Sequence, residues 1–523
     1  YIIKIFYWGK YNTMRKEFER VTPESVQLKS EDIMWLLDQL ESGFTEPHGL
    51  MIMRHGKICA EGWWSPYAKN LRHGQQSHSK TYAATAVGIA YTEGLLELDE
   101  KIIDIFPEYA PENPSDNLKK MTIHHVLCMG TGMVAEPEIT EDWIKNFLHM
   151  PVVNVPGTTY MYNNTSSSLL GAIVRKKTGL GLVDFLKPRL FDKIGINCDN
   201  HKWMTMPDGL EAGGGGLLAT TEDNLRLMKL YADGGVWDAE RILADDYVKK
   251  ATSFQNASAS EAIGNPPAKD NFVGYGYQIW MCRPKGVYRA DGAMGQFTIV
   301  IPDMDMIIAI TENAAGGHWA QKTLDVMWEY LAKIRRHYSI EMAENEPVST
   351  ILKRRMNMLA IPNEKASARI ELEHKINGRK YVINNADLSD NNDGLVMTEY
   401  AGARMLVGYP VPPAVEEFDF EFKTDECIFN YKTSQEQRTL HIAMDGTRRF
   451  NLFEGLVYSQ ALMNAFWENE NELHVITRWV EGCSRQERVF KFVGEDVATV
   501  EIVTRGSTFV EGESEPVIAN VYL

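Results

Sequence analysis

Several things are scarce or missing in this chain, and each shortage closes a route. Only six cysteines (Cys59, Cys128, Cys198, Cys282, Cys427 and Cys483) are spread over 523 residues. With no C-x-x-C and no tight spacing, they make neither a disulfide framework nor a zinc site, and they predict free thiols in a reducing compartment. Positive charge is short: 54 Lys and Arg stand against 71 Asp and Glu, a net charge of −17. Nucleic acid and anionic membrane would repel such a surface, so neither is an expected partner. The sequence holds no His-Glu-x-x-His and no Gly-x-Ser-x-Gly, and no Gly-Lys-Ser/Thr follows the run Gly213–Gly216. Zincin, α/β-hydrolase and P-loop chemistries therefore lack their signals. No internal repeat or low-complexity tract is present.

The opening YIIKIFYWGKYNT is too short and too interrupted for a secretory core or a membrane span. Met14 begins a more natural polar start, MRKEFERVTPESV. Residues 1–13 are accordingly expected to be an upstream addition, and the protein to be cytoplasmic.

What is present reads as a globular protein, 44% hydrophobic and 24% charged. At 523 residues it exceeds one core, since domains commonly hold about 100–200 residues. Residues 14–338 mix helix and strand patterns. GLMIMRHGKICAEGWW (Gly49–Trp64) predicts a hairpin turning at His55-Gly56, and QFTIVIPDMDMIIAITEN (Gln296–Asn313) two strands joined at Pro302-Asp303. A small-residue helix is expected from Ser79 to near Gly94, and a short one in MTIHHVLCMG capped by Thr122. An amphipathic helix in TTEDNLRLMKLYADGG has Thr221 as its expected cap, and a closing helix is expected from Trp319 to Tyr338. Residues 339–366 read as a linker with a short amphipathic helix. From residue 367 to 523, short alternating runs such as FDFEFK, CIFNY and ELHVITRWV predict a small all-β domain, sandwich or barrel.

Three stretches carry chemistry. In GQQSHSKTYAATAVGIA, Ser77 and Lys80 lie three apart, one helical turn, so the amine can reach the hydroxyl; taken alone, the pair is also an ordinary helix start with exposed polar groups. A helix start offers free N–H groups and positive potential to a developing oxyanion, and burial in the apolar run that follows would lower the lysine toward a working base. In PGTTYMYNNTSSSLLGAIV, Tyr162-Asn163-Asn164 is the only Tyr-x-Asn in the chain. A phenol near an ammonium can pass a proton, and an asparagine offers a neutral donor to a substrate carbonyl. Taken alone, this stretch is also a loop entering a helix, capped by Asn164 or Thr165. In YRADGAMGQFTIVIP, Gly292 and Gly295 open a strand edge to close approach.

The order Ser-x-x-Lys, Tyr-x-Asn, glycine-bearing strand resembles the penicillin-recognising serine hydrolases, and most closely the class C β-lactamase-like branch. That branch holds D,D-peptidases, D-aminopeptidases, carboxylesterases and 6-aminohexanoate-dimer-type hydrolases. Flanking stretches such as EGLLELDEKIIDIFPEY and AGGGGLLATTEDNLRLMKLYADGGVW extend the resemblance over about residues 20–335. It implies an α+β fold: an antiparallel sheet flanked by helices plus a helical region, here followed by the all-β domain. It implies Ser77 as acylated nucleophile, Lys80 as base, and Tyr162 as proton carrier to the leaving group. Asn164 becomes the substrate-carbonyl contact, Gly292 the close-approach position, and Ala293 N–H with Ser77 N–H the oxyanion hole. No cofactor or metal is required.

The chain departs from the family at Ala290-Asp291-Gly292, where β-lactamases and D,D-peptidases have Lys or His, then Thr or Ser, then Gly. The cation that meets a substrate carboxylate is absent, which favours an ester, or an amide without that carboxylate. Arg289 is expected to point to the opposite face from Ala290. Two other readings stand beside the small-molecule ester, amide or peptide hydrolase. One is a non-catalytic binding or scaffold protein that retains the fold; the other keeps the chemistry as a D-aminopeptidase-like peptidase or weak β-lactamase. The β domain either restricts the cleft or mediates homo-oligomerisation. Among lesser residues, His124-His125 reads as structural, His78 as exposed, and Gly213–Gly216 as a flexible wall. Trp63, Trp64, Trp143 and Trp280 read as core by default, with an aromatic pocket as the alternative.

Overall fold

The computed structural model describes residues 17–257, 269–314, 319–383, 394–506 and 513–521; the stretch 1–13 expected to be an upstream addition lies outside them. Contacts divide the chain into two units, one up to Ala360 with Leu406–Gly408, the other Ile361–Met405 with Tyr409–Leu523.

The first unit is built on a six-stranded sheet in the spatial order Lys57–Trp63, Glu46–Arg54, Met306–Asn313, Gln296–Ile301, Tyr288–Gly292, Trp280–Met281. Every neighbouring pair is antiparallel. The hairpin at His55-Gly56 and the turn at Pro302–Met304 form where the apolar runs break. The central strand MIIAITEN is buried along seven of its eight residues, as a strand covered on both faces must be. Burial of Ile307, Ile308 and Ile310 contributes about 1.5–3 kcal/mol each to the stability of this strand.

Helix Thr221–Ala232 packs across three of these strands. Its cap is Thr220, not the expected Thr221. Thr220 Oγ1 accepts Asp223 N–H at 3.2 Å, and the Asp223 carboxylate accepts Thr220 N–H at 3.0 Å. The acid three residues on selects Thr220, because it closes the reciprocal box. Helix Ile123–Leu127 starts at Thr122 as expected. Its two histidines diverge, His124 Nδ1 to the Tyr277 hydroxyl at 2.6 Å and His125 Nδ1 to Thr122. Within the stretch read as a linker, Glu346–Asn357 forms a helix that packs on Ser30–Leu40 and Lys57–Trp63. Gly62 permits that approach, since a Cβ there would meet the Leu359 and Met356 side chains at 2.8 and 3.0 Å.

The second unit is a closed barrel, one of the two forms expected. Nine strands run in the order Gln437–Ala443, Glu426–Thr433, Val415–Phe422, Tyr381–Ile383, Val517–Val521, Thr499–Arg505, Arg485–Val493, Glu472–Trp479, Gln460–Asn469. The ring closes where Ala443 pairs Asn464 in parallel. Arg449–Leu452 adds a strand outside the ring, on Gln460–Asn469. Phe418, Phe420, Phe429 and Phe490 fill the interior, with ring centroids 5.0–5.8 Å apart, the spacing of edge-to-face and tilted aromatic packing. Among the described residues no helix is long and apolar enough to cross a membrane.

Candidate active site

Ser77 lies in a single 3-10 turn, Gln76–His78, that runs directly into helix Ser79–Thr92. Gln76 just before it has φ 48°, a left-handed conformation that costs a non-glycine residue about 1–3 kcal/mol and is kept only when its surroundings enforce it. They do so through buried Gln75. Its amide donates to the His73 and Ala219 carbonyls at 2.7 and 2.9 Å, and its backbone N–H to Leu217 O at 2.8 Å. The helix can enter the core because it is small: a Cβ on Gly88 would meet the Tyr247 ring at 2.4 Å, and the Tyr247 hydroxyl donates to Ala84 O at 2.6 Å.

The turn leaves Ser77 half-buried and sends its neighbour inward. His78, expected to be exposed, is fully buried, with Nε2 3.0 Å from the Thr298 hydroxyl under the sheet. Successive residues of the turn point to different sides, and a hydroxyl on the sheet makes that side tolerable. Burial lowers the imidazole to about 4, so it is neutral there.

Lys80 is 1% exposed. Its Nζ donates to Ser77 Oγ at 3.0 Å, to Asn164 Oδ1 at 2.8 Å, and to the Gly214 carbonyl. These are three acceptors for the three hydrogens of an ammonium. The ammonium also lies 4.7 Å from the centre of the Tyr162 ring, a cation–π contact that favours charge. Burial wins nevertheless and brings the lysine down to about 7, while the negative charges of Glu136 and Asp291 hold it from falling further. A buried amine at neutral pH is thus divided between charged and neutral forms.

The Tyr-x-Asn stretch divides its work by position. The middle residue, Asn163, is the helix cap: its Oδ1 accepts Ser166 N–H at 2.8 Å. The cap is therefore not Asn164 or Thr165, and Asn164 in the first turn is left to face Lys80. Tyr162 packs on a buried cluster of Met129, Tyr160, Tyr275 and Trp280, stacked on Trp280 at 5.7 Å and 24°. Trp64, Trp143 and Trp280 are core as expected, Trp280 also stacking on Tyr162, whereas Trp63 is only half-buried.

Gly213 and Gly214, expected to form a flexible wall, are close-packed. A Cβ on either would lie 2.3 or 2.4 Å from the Ser167 or Asn164 carbonyl. This contact brings Gly214 O to Lys80. Gly292 is used similarly: its Cβ would stand 2.2 Å from Gln75 O, two residues before Ser77. The strand edge is therefore pressed against the Ser77 turn. Ala293 follows at the hairpin tip, with Met294 and Gly295 at φ 65° and 90°.

Ala290 is buried and carries no charge to the site. Arg289 is also buried, on the side of Asp291 as strand alternation predicts. Its Nε donates to Asp291 Oδ2 at 2.7 Å, Nη2 to Asn271 Oδ1 at 2.9 Å, and Nη1 to the Asp270 and Met281 carbonyls at 3.4 and 3.3 Å. Its guanidinium is committed, and it offsets the Asp291 charge that the sequence left exposed. Two site residues escaped sequence reasoning. Gly214 was inside a run read only for flexibility. Glu136, on an irregular loop, accepts from Asn164 Nδ2 at 3.2 Å, and no motif marks it.

The sequence model of the beta-lactamase family matches residues 37–327. The 6-aminohexanoate-dimer hydrolase of Paenarthrobacter ureafaciens is 22% identical over 320 residues, covering 55% of this chain and 78% of that protein. Penicillin-binding protein 4 of Amycolatopsis lactamdurans is 24% identical over 300 residues, 49% of this chain and 76% of its own. Among solved structures, the octameric penicillin-binding protein homologue from Pyrococcus abyssi covers 94% of this chain and 99% of its own, at 14% identity and a TM-score of 0.43. More than half of the chain lies within the family's match, and so it belongs to the β-lactamase family of serine hydrolases.

Proposed function

We propose that the protein hydrolyses an ester, or an amide lacking an adjacent free carboxylate, through an acyl-enzyme on Ser77. The observation that carries this is the buried Lys80 amine 3.0 Å from Ser77 Oγ, lowered by burial to about 7. In its neutral form Lys80 takes the Ser77 proton as Oγ attacks the substrate carbonyl carbon. The oxyanion is received by Ser77 N–H and Ala293 N–H, across the approach that Gly292 permits. The proton then passes from Lys80, by way of Tyr162, to the leaving oxygen or nitrogen. Water attacks the acyl carbon and gives one proton to the again-neutral Lys80, which passes it to Ser77 Oγ as the acyl–Oγ bond breaks and the acid is released. Asn164 holds the amine and offers its remaining amide hydrogen to the substrate.

The substrate preference rests on charge. With Ala290 buried and Arg289 bound to Asp291, no cation from this strand meets a carboxylate. The unpatterned cysteines support a cytoplasmic setting. One panel tests the reading: nitrophenyl esters, D-amino acid anilides and a chromogenic cephalosporin. Turnover of esters well above the cephalosporin is expected. Preference for the cephalosporin would reverse the substrate assignment, and no turnover of any would favour the scaffold reading.

A further inference from the structure

Asn164 has an amide whose two ends are alike in shape and opposite in chemistry, and the reaction depends on which end faces Lys80. A neutral lysine has two hydrogens and one lone pair. Asn164 Oδ1, 2.8 Å away, and the Gly214 carbonyl can only accept, so they take the two hydrogens and leave the lone pair for Ser77, at 3.0 Å. Were the Asn164 amide reversed, its NH2 would claim the lone pair, and the Ser77 proton would have no base.

Glu136 lies on the far side of that amide. Its Oε1 accepts from Asn164 Nδ2 at 3.2 Å; its Oε2 accepts from Thr165 N–H and hydroxyl at 3.4 and 3.5 Å. A carboxylate accepts and cannot donate, so it admits only the observed orientation. We propose that Glu136 is a positioning residue: its carboxylate fixes the Asn164 amide with its oxygen toward Lys80, and so aims the Lys80 lone pair at Ser77. This rests on the reading of Ser77 and Lys80 given above.

The same carboxylate has an electrostatic signature that a merely structural contact lacks. The groups facing Lys80 are Glu136 on its loop, Asp291 on the strand Tyr288–Gly292, the Tyr162 ring, and the neutral Gly214 carbonyl. Asp291 is already paired with Arg289 at 2.7 Å. Glu136 is exposed, its partners are neutral, and its charge keeps a proton on Lys80 that burial would expel.

The test compares Glu136→Gln, which keeps an acceptor but drops the charge, with Glu136→Leu, which drops both. The readouts are kcat/KM for a nitrophenyl ester against pH, and the mass of the adduct with a fluorophosphonate. Both variants are expected to move the acid limb down by about half a pH unit, as loss of an exposed negative charge requires. Glu136→Leu is also expected to lower the plateau about tenfold, and Glu136→Gln by less. A wild-type plateau in Glu136→Leu, with Ser77 still labelled, overturns the proposal whether or not the limb moves. Absence of a Ser77 adduct in the wild-type protein overturns the underlying reading instead.

Discussion

The contact of Gly292 with the Ser77 turn gives the sharpest consequence for engineering the site. Gly292→Ala places a methyl group 2.2 Å from Gln75 O, where real Cβ atoms keep at least about 3.0–3.4 Å. The strand edge and the turn must therefore part by about 1 Å. Gln75 cannot yield easily, because its side chain is pinned between the His73 and Ala219 carbonyls. The burden falls on the hairpin that carries Ala293, and a 1 Å misplacement of a reacting geometry costs about 100-fold in rate. Overpacking should cost about 1–3 kcal/mol of stability besides. Steady-state kcat/KM on a nitrophenyl ester, beside a thermal melt, separates the two effects. The loss should lie in kcat, with the protein still folded at the assay temperature. Activity within threefold of wild type would refute the claim that this approach builds the site.

Other consequences follow from the same geometry. If Lys80 is the base, it must be neutral to accept the serine proton, and with burial bringing it down to about 7 kcat/KM should fall about tenfold for each pH unit below that point. A profile flat from about pH 5 to 8 would remove Lys80 as the base. If Tyr162 carries the proton to the leaving group, Tyr162→Phe should lose far more rate on an anilide than on a nitrophenyl ester, whose phenolate departs unaided; equal losses contradict that role. Asn163→Ala removes the cap of helix Asn164–Thr178 and should lower stability by about 1 kcal/mol in denaturant titration. An unchanged midpoint would mean that the cap does not anchor the helix.

The parts of the candidate site that were legible are those whose signals are local. The i, i+3 spacing of Ser77 and Lys80 and the single Tyr-x-Asn are short patterns fixed by one helix turn and one helix entry. What the sequence left unresolved depended on contacts between distant segments. Glu136 reaches Asn164 across 28 positions from an irregular loop, so no periodicity could mark it. Arg289 was correctly assigned to its strand face, but that its charge is absorbed by Asp291 and Asn271 is a matter of tertiary packing. His78 resembled an exposed residue beside a serine, and the Thr298 hydroxyl that meets its buried ring lies 220 positions away. In the second unit, alternation gave the strands, while the choice of barrel over sandwich turned on the single bridge from Ala443 to Asn464.

Everything proposed for the site turns on acylation of Ser77. The direct measurement is intact mass after fluorophosphonate treatment, followed by peptide mapping, for the wild-type protein and for Ser77→Ala. One adduct on the peptide that contains Ser77, absent from the folded Ser77→Ala variant together with ester turnover, is the predicted result. An adduct elsewhere, or undiminished turnover in Ser77→Ala, would contradict the account.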